Sequence, residues 1–563
     1  QYILLVASMK LSFKQVTFNL TNPHERKSWM GIVKMLGFLL KSSTQGQNTI
    51  AAILKQWAAE CQAISIGTTL DAKPHIPAFK SFIVGSLESA LTPLSAWHFA
   101  GIGRSLPPPA TTDKELRTEL KSWAEIMTLD GAHREPYKKE LITELSRTHT
   151  GLTKFCRTMF QNALKNHPQK GQLMGALRLN TSASLEASRL KGGVYTHYID
   201  KAAREGPGKF VIRESPNYVI PQMPLLSGVD ENGNLLEESE RRKLMLTTGI
   251  KQLSFLNGFH SLQDPRIQYL FTKYGEPHLV TAASTAIANA IVEDEIRDIV
   301  HVYQYAMEAR ISPNPPQCKP LVLPERGNKF RIATISSAPL VVAGQRINNV
   351  LLKLLKSFQV TAYSLHGEEG IPNPISRAVA AYGSSTFEDE CEFISTDLSK
   401  ASDFIPHDVA IAAWIGIWSA IKDELPPEYF TVGKLLLGPM EIQVDPEQRG
   451  SDVLKAFPRT TTRGALMGLP LTWTILSVLN MYAAHLAISE YCFENKRFKS
   501  KTRPYRKTSL QPYVICGDDM AAYWPRIVSE KYMAHLHATC GLKVNLRKTF
   551  RSPTGFIFVD VSL

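Results

Sequence analysis

The tripeptide Gly517-Asp518-Asp519 lies between two segments with strand character, and it constrains the chain more than any other feature. Tyr513-Val514-Ile515-Cys516 has the β-branched and aromatic residues of a buried strand, and Met520-Ala521-Ala522-Tyr523-Trp524 reads as its return partner. The expected product is a β-hairpin holding two adjacent carboxylates at a tight turn. Two anions at one turn repel each other unless a cation joins them, and the hard cation Mg²⁺ takes carboxylate oxygens together with phosphates. Gly-Asp is also an ordinary hairpin turn, so the tripeptide alone decides nothing. What matters is whether a third carboxylate, a glycine loop and cationic phosphate ligands accompany it.

The third carboxylate lies in Phe393-Ile394-Ser395-Thr396-Asp397-Leu398-Ser399-Lys400-Ala401-Ser402-Asp403. Residues 393–396 read as a short strand ending at Asp397, and ligands of α/β proteins gather outside the carboxyl ends of strands. Asp397 is therefore placed to meet Asp518 across neighbouring strands, and Asp403 to face the same cleft. Ser402 or Asp403 equally suits the cap of an apolar helix beginning near His407.

The glycine loop is Arg463-Gly464-Ala465-Leu466-Met467-Gly468-Leu469-Pro470, with a helix expected over 471–488 and Pro470 suited to its first turn. A helix N-terminus of this kind favours phosphate. The helix is apolar enough to raise a membrane span, but Thr472, Ser477, Asn480 and His485 interrupt it, which favours a buried core helix with a polar stripe. The cations lie in Glu325-Arg326-Gly327-Asn328-Lys329-Phe330-Arg331-Ile332. Lys329 and Arg331 alternate with apolar residues and so project from one face of a strand, fit either to grip a triphosphate or to guard a sheet edge.

In this order, Lys329/Arg331, Asp397/Asp403, Gly464/Gly468 with Asn480, Asp518/Asp519 and Lys543/Lys548 resemble motifs F, A, B, C and D of the viral RNA-dependent RNA polymerases. Asp-Leu-Ser-Lys-Ala-Ser-Asp and Met-Gly-Leu-Pro-Leu-Thr-Trp-Thr are most similar to the narnavirus, ourmiavirus and mitovirus lineage, the narnavirus/ourmiavirus branch being the closer match. The resemblance covers about 324–555; residues 1–320 carry no motif that can be placed.

The resemblance implies RNA-templated RNA synthesis from nucleoside triphosphates, with RNA template and product strands as partners. It makes Asp397 and Asp518 the principal ligands of two Mg²⁺ ions, with Mn²⁺ as an alternative and Asp519 in support. Lys329 and Arg331 match the residues over the triphosphate, and Asp403 the residue that senses the ribose 2′-hydroxyl. Thr472 fits the motif B partner of that Asp by its spacing from Gly468, while Asn480 lies beyond the usual spacing. Arg463, Gly464, Met467 and Gly468 match the template-facing loop. Lys548 is the better match for the proton donor to leaving pyrophosphate, with Lys543 in reserve.

The expected fold is α+β, a right-hand polymerase of fingers and palm with an antiparallel palm sheet flanked by helices and the thumb missing. The expected divisions are an unassigned region over 1–112, a helical N-terminal or fingers region over 113–323, fingers with motif F over 324–392 and the palm with motifs A to D and the start of E over 393–563. Helical spacing is read over 114–127 and 280–310, and prolines 313, 315, 316, 320 and 324 mark an extended boundary. A net charge of +13 over 563 residues favours a polyanionic partner, and cations interleaved with Phe498 and Tyr505 between 496 and 507 suit either an RNA strand or a surface loop. Seven scattered cysteines without a Cys-x-x-Cys pair argue for reduced thiols and against structural zinc. The host cytoplasm is the expected compartment, or the mitochondrion for a mitovirus-like protein, with no stable membrane insertion. Two alternatives stand beside this reading: a reverse transcriptase, against which Asp403 argues, and a basic RNA-binding protein with a non-catalytic palm.

Overall fold

The computed structural model describes residues 47–68, 111–129, 139–165, 315–326, 329–366, 391–494, 513–546 and 548–558, with residues 100, 108–109 and 375 and short stretches within 21–26, 167–173, 182–197 and 561–562. The basic cluster at 496–507 and the helical pattern over 280–310 lie outside the described residues. In chain order come α1 (Gln47–Ser65), α2 (Asp113–Leu129), α3 (Lys139–Thr148), α4 (Thr150–Lys165), β1 (Gln317–Glu325) and β2 (Lys329–Ile335). Then follow α5 (Ala338–Leu355), α6 (Gln359–His366), β3 (Cys391–Thr396), α7 (His407–Ile421), α8 (Tyr429–Leu437) and β4 (Glu441–Ile442). The remainder is α9 (Thr472–Glu494), β5 (Tyr513–Cys516), β6 (Asp519–Pro525), α10 (Arg526–Ala538), β7 (Phe550–Ser552), β8 (Ile557–Phe558) and β9 (Val561–Ser562).

The central sheet has the order β5-β6-β3-β7, with every neighbouring pair antiparallel. Side chains alternate between its faces. Ile394, Tyr513, Ile515, Met520, Ala522 and Trp524 enter the main core, whereas Phe393, Val514, Ala521 and Tyr523 join a second apolar cluster with Phe556 and Phe558. A sheet covered on both faces needs apolar residues at every position, which is why these segments read as unbroken apolar runs.

The helix after the glycine loop begins at Thr472 and runs to Glu494, later and longer than expected, so Pro470 precedes it instead of opening its first turn. It packs on α10 and β5, and Ile475, Val478, Leu479 and Ala483 are wholly buried in the main core. Among the described residues no helix is long and apolar enough to cross a membrane. The polar stripe has a use inside the protein: Trp473, Ser477 and Asn480, spaced four and three residues apart, face the turn between β5 and β6.

Helix α7 starts at His407 as expected, but its N-cap is Pro406, without a side-chain cap, so neither Ser402 nor Asp403 caps it. Helix α2 matches the spacing read over 114–127. Strands β1 and β2 form an antiparallel hairpin, and the division expected between 323 and 324 falls inside β1. Pro320 and Pro324 are tolerated there because β4 pairs only with Gln317 and Cys318, leaving the rest of that side of β1 as an edge.

Candidate active site

Cys516 pairs with Asp519 across a two-residue turn of Gly517 and Asp518, so the return strand begins one residue earlier than its apolar run indicates. Gly517 has a φ of +64°, the left-handed conformation that favours glycine at the head of such a turn. A side chain is also sterically barred, since a Cβ there would lie 2.7 Å from Trp473 Nε1. Helix α9 grips this turn from below. The Gly517 N–H donates to Ser477 Oγ at 3.2 Å, and Asn480 Nδ2 donates to the Gly517 carbonyl at 3.2 Å. Asn480 Oδ1 in turn accepts from Tyr532 Oη at 2.5 Å, and Tyr532 Oη meets Thr396 Oγ1 at 3.3 Å. Asn480 is wholly buried, as is Tyr532. One buried network thus links the turn bearing Asp518 to the residue before Asp397.

Thr396 pairs with Met520, so Asp397 leaves β3 at the sheet end where the β5–β6 turn lies. The Asp518 carboxyl is pushed above the usual carboxylate range, first by burial and then by the charge of Asp397, while Lys548 and Arg331 pull it back. The two carboxylates therefore share one electrostatic space. Asp397 Oδ2 accepts from Asn545 Nδ2 at 2.9 Å and lies 3.2 Å from Lys548 Nζ. Asn545 was not among the residues expected at the site. It arrives because the segment after α10 pairs with the chain beyond β3: Ser399 N–H donates to Lys543 O at 2.8 Å and Asn545 N–H to Asp397 O at 2.8 Å. The same pairing sets the two lysines apart: Lys543 Nζ lies over the Phe404 ring at 5.9 Å from its centroid, and Lys548 Nζ is paired with Asp397.

The glycine loop docks on three elements. Gly464 and Gly468 have φ values of +100° and +99°. Gly464 N–H donates to Ile405 O at 2.7 Å, and Arg463 forms an isolated bridge with Pro406. Thr334 N–H donates to Met467 O at 2.7 Å, fastening the loop to β2, and a Cβ on Gly468 would stand 2.8 Å from Thr334 O. On β2, Lys329 and Arg331 do share a face, and both are drawn to Glu325 across the hairpin: Arg331 Nε lies 2.9 Å and Lys329 Nζ 3.4 Å from Glu325 Oε2. Any bound phosphate must compete with that carboxylate.

Three of the expected site residues have partners or positions within the fold itself. Asn480 does not open onto a ligand, because both ends of its amide are engaged inside the protein; it holds the turn in place. Thr472 donates its hydroxyl to Leu466 O at 2.7 Å and is nearly buried, so it fastens the loop to the helix start instead of facing a sugar. Asp519, expected in support of Asp397 and Asp518, opens β6 opposite Cys516, directly after the turn that carries Asp518.

Asp403 lies in the turn between β3 and α7, and its carboxyl is pushed up to about 6 by burial, against the pull of Lys400 and a 3.5 Å hydrogen bond from Ser402. A raised carboxyl pKa means that the folded state binds a proton the unfolded state lacks, so stability falls as pH rises through about 4 to 6. Two pKa units correspond to about 3 kcal/mol, and the residual solvent contact of this side chain reduces that to about 1–2 kcal/mol. Asp403→Asn is accordingly expected to raise the melting temperature at pH 7.5, with the gain fading toward pH 4. Thermal melts at the two pH values check this; an unchanged or lower melting temperature at pH 7.5 contradicts it.

Sheet, turn and loop together form an α+β arrangement, an antiparallel sheet flanked by helices. Over 267 residues, 46% of this chain, the sequence is 29% identical to the RNA-directed RNA polymerase of Saccharomyces 23S RNA narnavirus. Over 261 residues it is 28% identical to the RNA-directed RNA polymerase of Saccharomyces 20S RNA narnavirus. These matches bear out the narnavirus lineage read from the motifs. The chain spans about a quarter of the length of these relatives, 25% and 28% respectively. No family model matches. Two crystal structures of the RNA-dependent RNA polymerase of a human picorbirnavirus, one with its insertion loop deleted, overlay on 43% of this chain and 43% of theirs, with a TM-score of 0.31 and 14% identity.

Proposed function

We propose that this chain carries the catalytic centre of RNA-templated RNA synthesis, joining nucleoside triphosphates to an RNA 3′-hydroxyl by nucleotidyl transfer. The observation that carries the reading is the convergence of Asp397 and Asp518 in one electrostatic space, with Lys548 on Asp397 and Arg331 acting on Asp518. The donor set fits a hard divalent cation, because two carboxylates close enough to disturb each other offer the ligands that Mg²⁺ takes alongside substrate phosphates and water. The chemistry supplied by bound Mg²⁺, or Mn²⁺ in its place, is to neutralise the triphosphate and to lower the pKa of the attacking hydroxyl.

The protein's own part is mainly positioning. Asp397 and Asp518 would hold the cations, the two carboxylate-bearing segments being joined by the Thr396, Tyr532, Asn480 and Gly517 network. Lys329 and Arg331 exchange Glu325 for the triphosphate, Arg331 as a fork and Lys329 as a point charge. Asp403 accepts a hydrogen bond from the ribose 2′-hydroxyl, which a deoxyribose lacks. Lys548, whose side chain is 60% exposed, has the freedom to turn from Asp397 and give a proton to the leaving pyrophosphate.

Template-primed extension by the full protein in Mg²⁺, with ribonucleotides compared against deoxyribonucleotides, tests this. The expected result is metal-dependent incorporation that favours ribonucleotides by about 10²-fold or more, the discrimination open to a site that hydrogen-bonds a substrate hydroxyl. Preference for deoxyribonucleotides would favour a reverse transcriptase. RNA retention without synthesis would favour a non-catalytic RNA-binding protein.

A further inference from the structure

Helix α1 lies in a region to which no motif assigns a role, yet it is fastened on β7 and β8, and β7 is the neighbour of β3, the strand that ends before Asp397. Its stripe Ala59, Ala63 and Ile66 packs on Phe550 and Ile557. The Ile66 carbonyl accepts hydrogen bonds from Thr554 Oγ1 at 2.7 Å and from Ser552 Oγ. Carried one turn toward the N-terminus, the same stripe reaches Lys55, four residues before Ala59. From Ile66 back to Lys55 a helix rises about 16 Å at 1.5 Å per residue. Strand β7 runs back toward the sheet end where Lys548 holds Asp397, since Ser552 faces Phe393 and Phe550 faces Ser395, and Lys55 feels the charge of Lys548.

The electrostatics of the region agree with that placement. Lys55 is exposed at the surface, but nearby protein strips part of its hydration; this chiefly lowers its pKa, and the charges of Lys329 and Lys548 lower it further against the pull of Glu119. Lys548 is itself bound to Asp397, and Arg331 acts on Asp518. Cations from α1, β2 and the segment before β7 thus gather at one rim of the carboxylate pair. Lys329 and Arg331 are paired with Glu325 and Lys548 with Asp397, so a polyanion binding here exchanges with those carboxylates.

We infer that Lys55 is a further nucleotide-binding residue, reaching with Lys329 and Lys548 for the triphosphate tail of the incoming nucleotide. This rests on the nucleotidyl-transfer reading. It gives α1 a task that packing alone does not require, since its Ala and Ile stripe would dock on β7 without a cation one turn further on.

Equilibrium binding of a fluorescent ATP analogue to the full protein in Mg²⁺ at fixed ionic strength tests the inference, with AMP and a single-stranded RNA oligonucleotide as further ligands. Lys55→Ala and Lys55→Gln are expected to weaken ATP binding about five- to tenfold, as loss of one charge-assisted contact does. Lys55→Arg should stay within about twofold, because it keeps the charge. AMP and RNA binding should not change, and thermal melts should match the wild type. If Lys329→Ala weakens ATP binding while both Lys55 variants do not, the inference is overturned and the nucleotidyl-transfer reading stands. An equal loss for RNA overturns it in favour of a backbone contact to RNA. Absence of ATP binding by the wild type overturns the nucleotidyl-transfer reading itself.

Discussion

Replacing Asp518 by Ala is expected to reduce template-primed ribonucleotide incorporation at least about 10³-fold without weakening the fold. The two halves of this expectation come from one fact. Burial and the neighbouring charge of Asp397 raise the Asp518 carboxyl, so above its folded pKa the ionised form costs stability that Ala does not. The residue is therefore retained against folding stability, as expected of a group kept to hold a cation. Primer extension and thermal melting of wild type and variant, run side by side, separate the two effects. Incorporation by the variant within tenfold of wild type would remove Asp518 from the site.

Asn480→Ala is expected to be the most damaging change outside the carboxylates. It removes the donor to the Gly517 carbonyl and the acceptor for Tyr532 Oη, and it leaves both stranded where water does not reach. Stranded buried groups cost about 1–3 kcal/mol each, so the loss of stability should be about 2–4 kcal/mol. Tyr532→Phe removes the donor to Asn480 Oδ1 and the partner of Thr396 Oγ1 and should cost about 1–3 kcal/mol, with the double variant less than additive because both act on one network. On activity, kcat should fall about 10²-fold with the KM for nucleotide little changed, since the turn is displaced but no contact to nucleotide is lost. The ratio of ribonucleotide to deoxyribonucleotide use should stay as it is. A collapse of that ratio in Asn480→Ala would return Asn480 to sugar selection.

What was legible in the sequence was local. The strand before Asp397, the hairpin around Gly517 and the helix starting at His407 each follow from a short run of residues whose period or turn chemistry is self-contained. What escaped depends on tertiary neighbours. Lys543 and Lys548 share one segment, and only the pairing of Ser399 with Lys543 turns one toward Phe404 and leaves the other on Asp397. Asn480 resembles a sugar ligand by its position in the motif order, but a helix of this length carries it past the loop and under the turn. Glu325 stood beside the cations in sequence, yet its competition with phosphate depends on the register that sets it opposite Lys329. Lys55 carries no motif at all, because a single lysine on an amphipathic helix has no pattern until the helix is docked.

The central claim is that Asp397 and Asp518 form one divalent-cation site, and Mn²⁺ binding to the full protein followed by electron paramagnetic resonance tests it most directly. Asp397→Asn and Asp518→Asn should each weaken Mn²⁺ binding about tenfold or more, because each removes one of the two charged ligands the protein offers. Asp519→Asn should weaken it less, since Asp519 stands only in support of the pair. Wild-type affinity for Mn²⁺ in both Asp397→Asn and Asp518→Asn would contradict the claim.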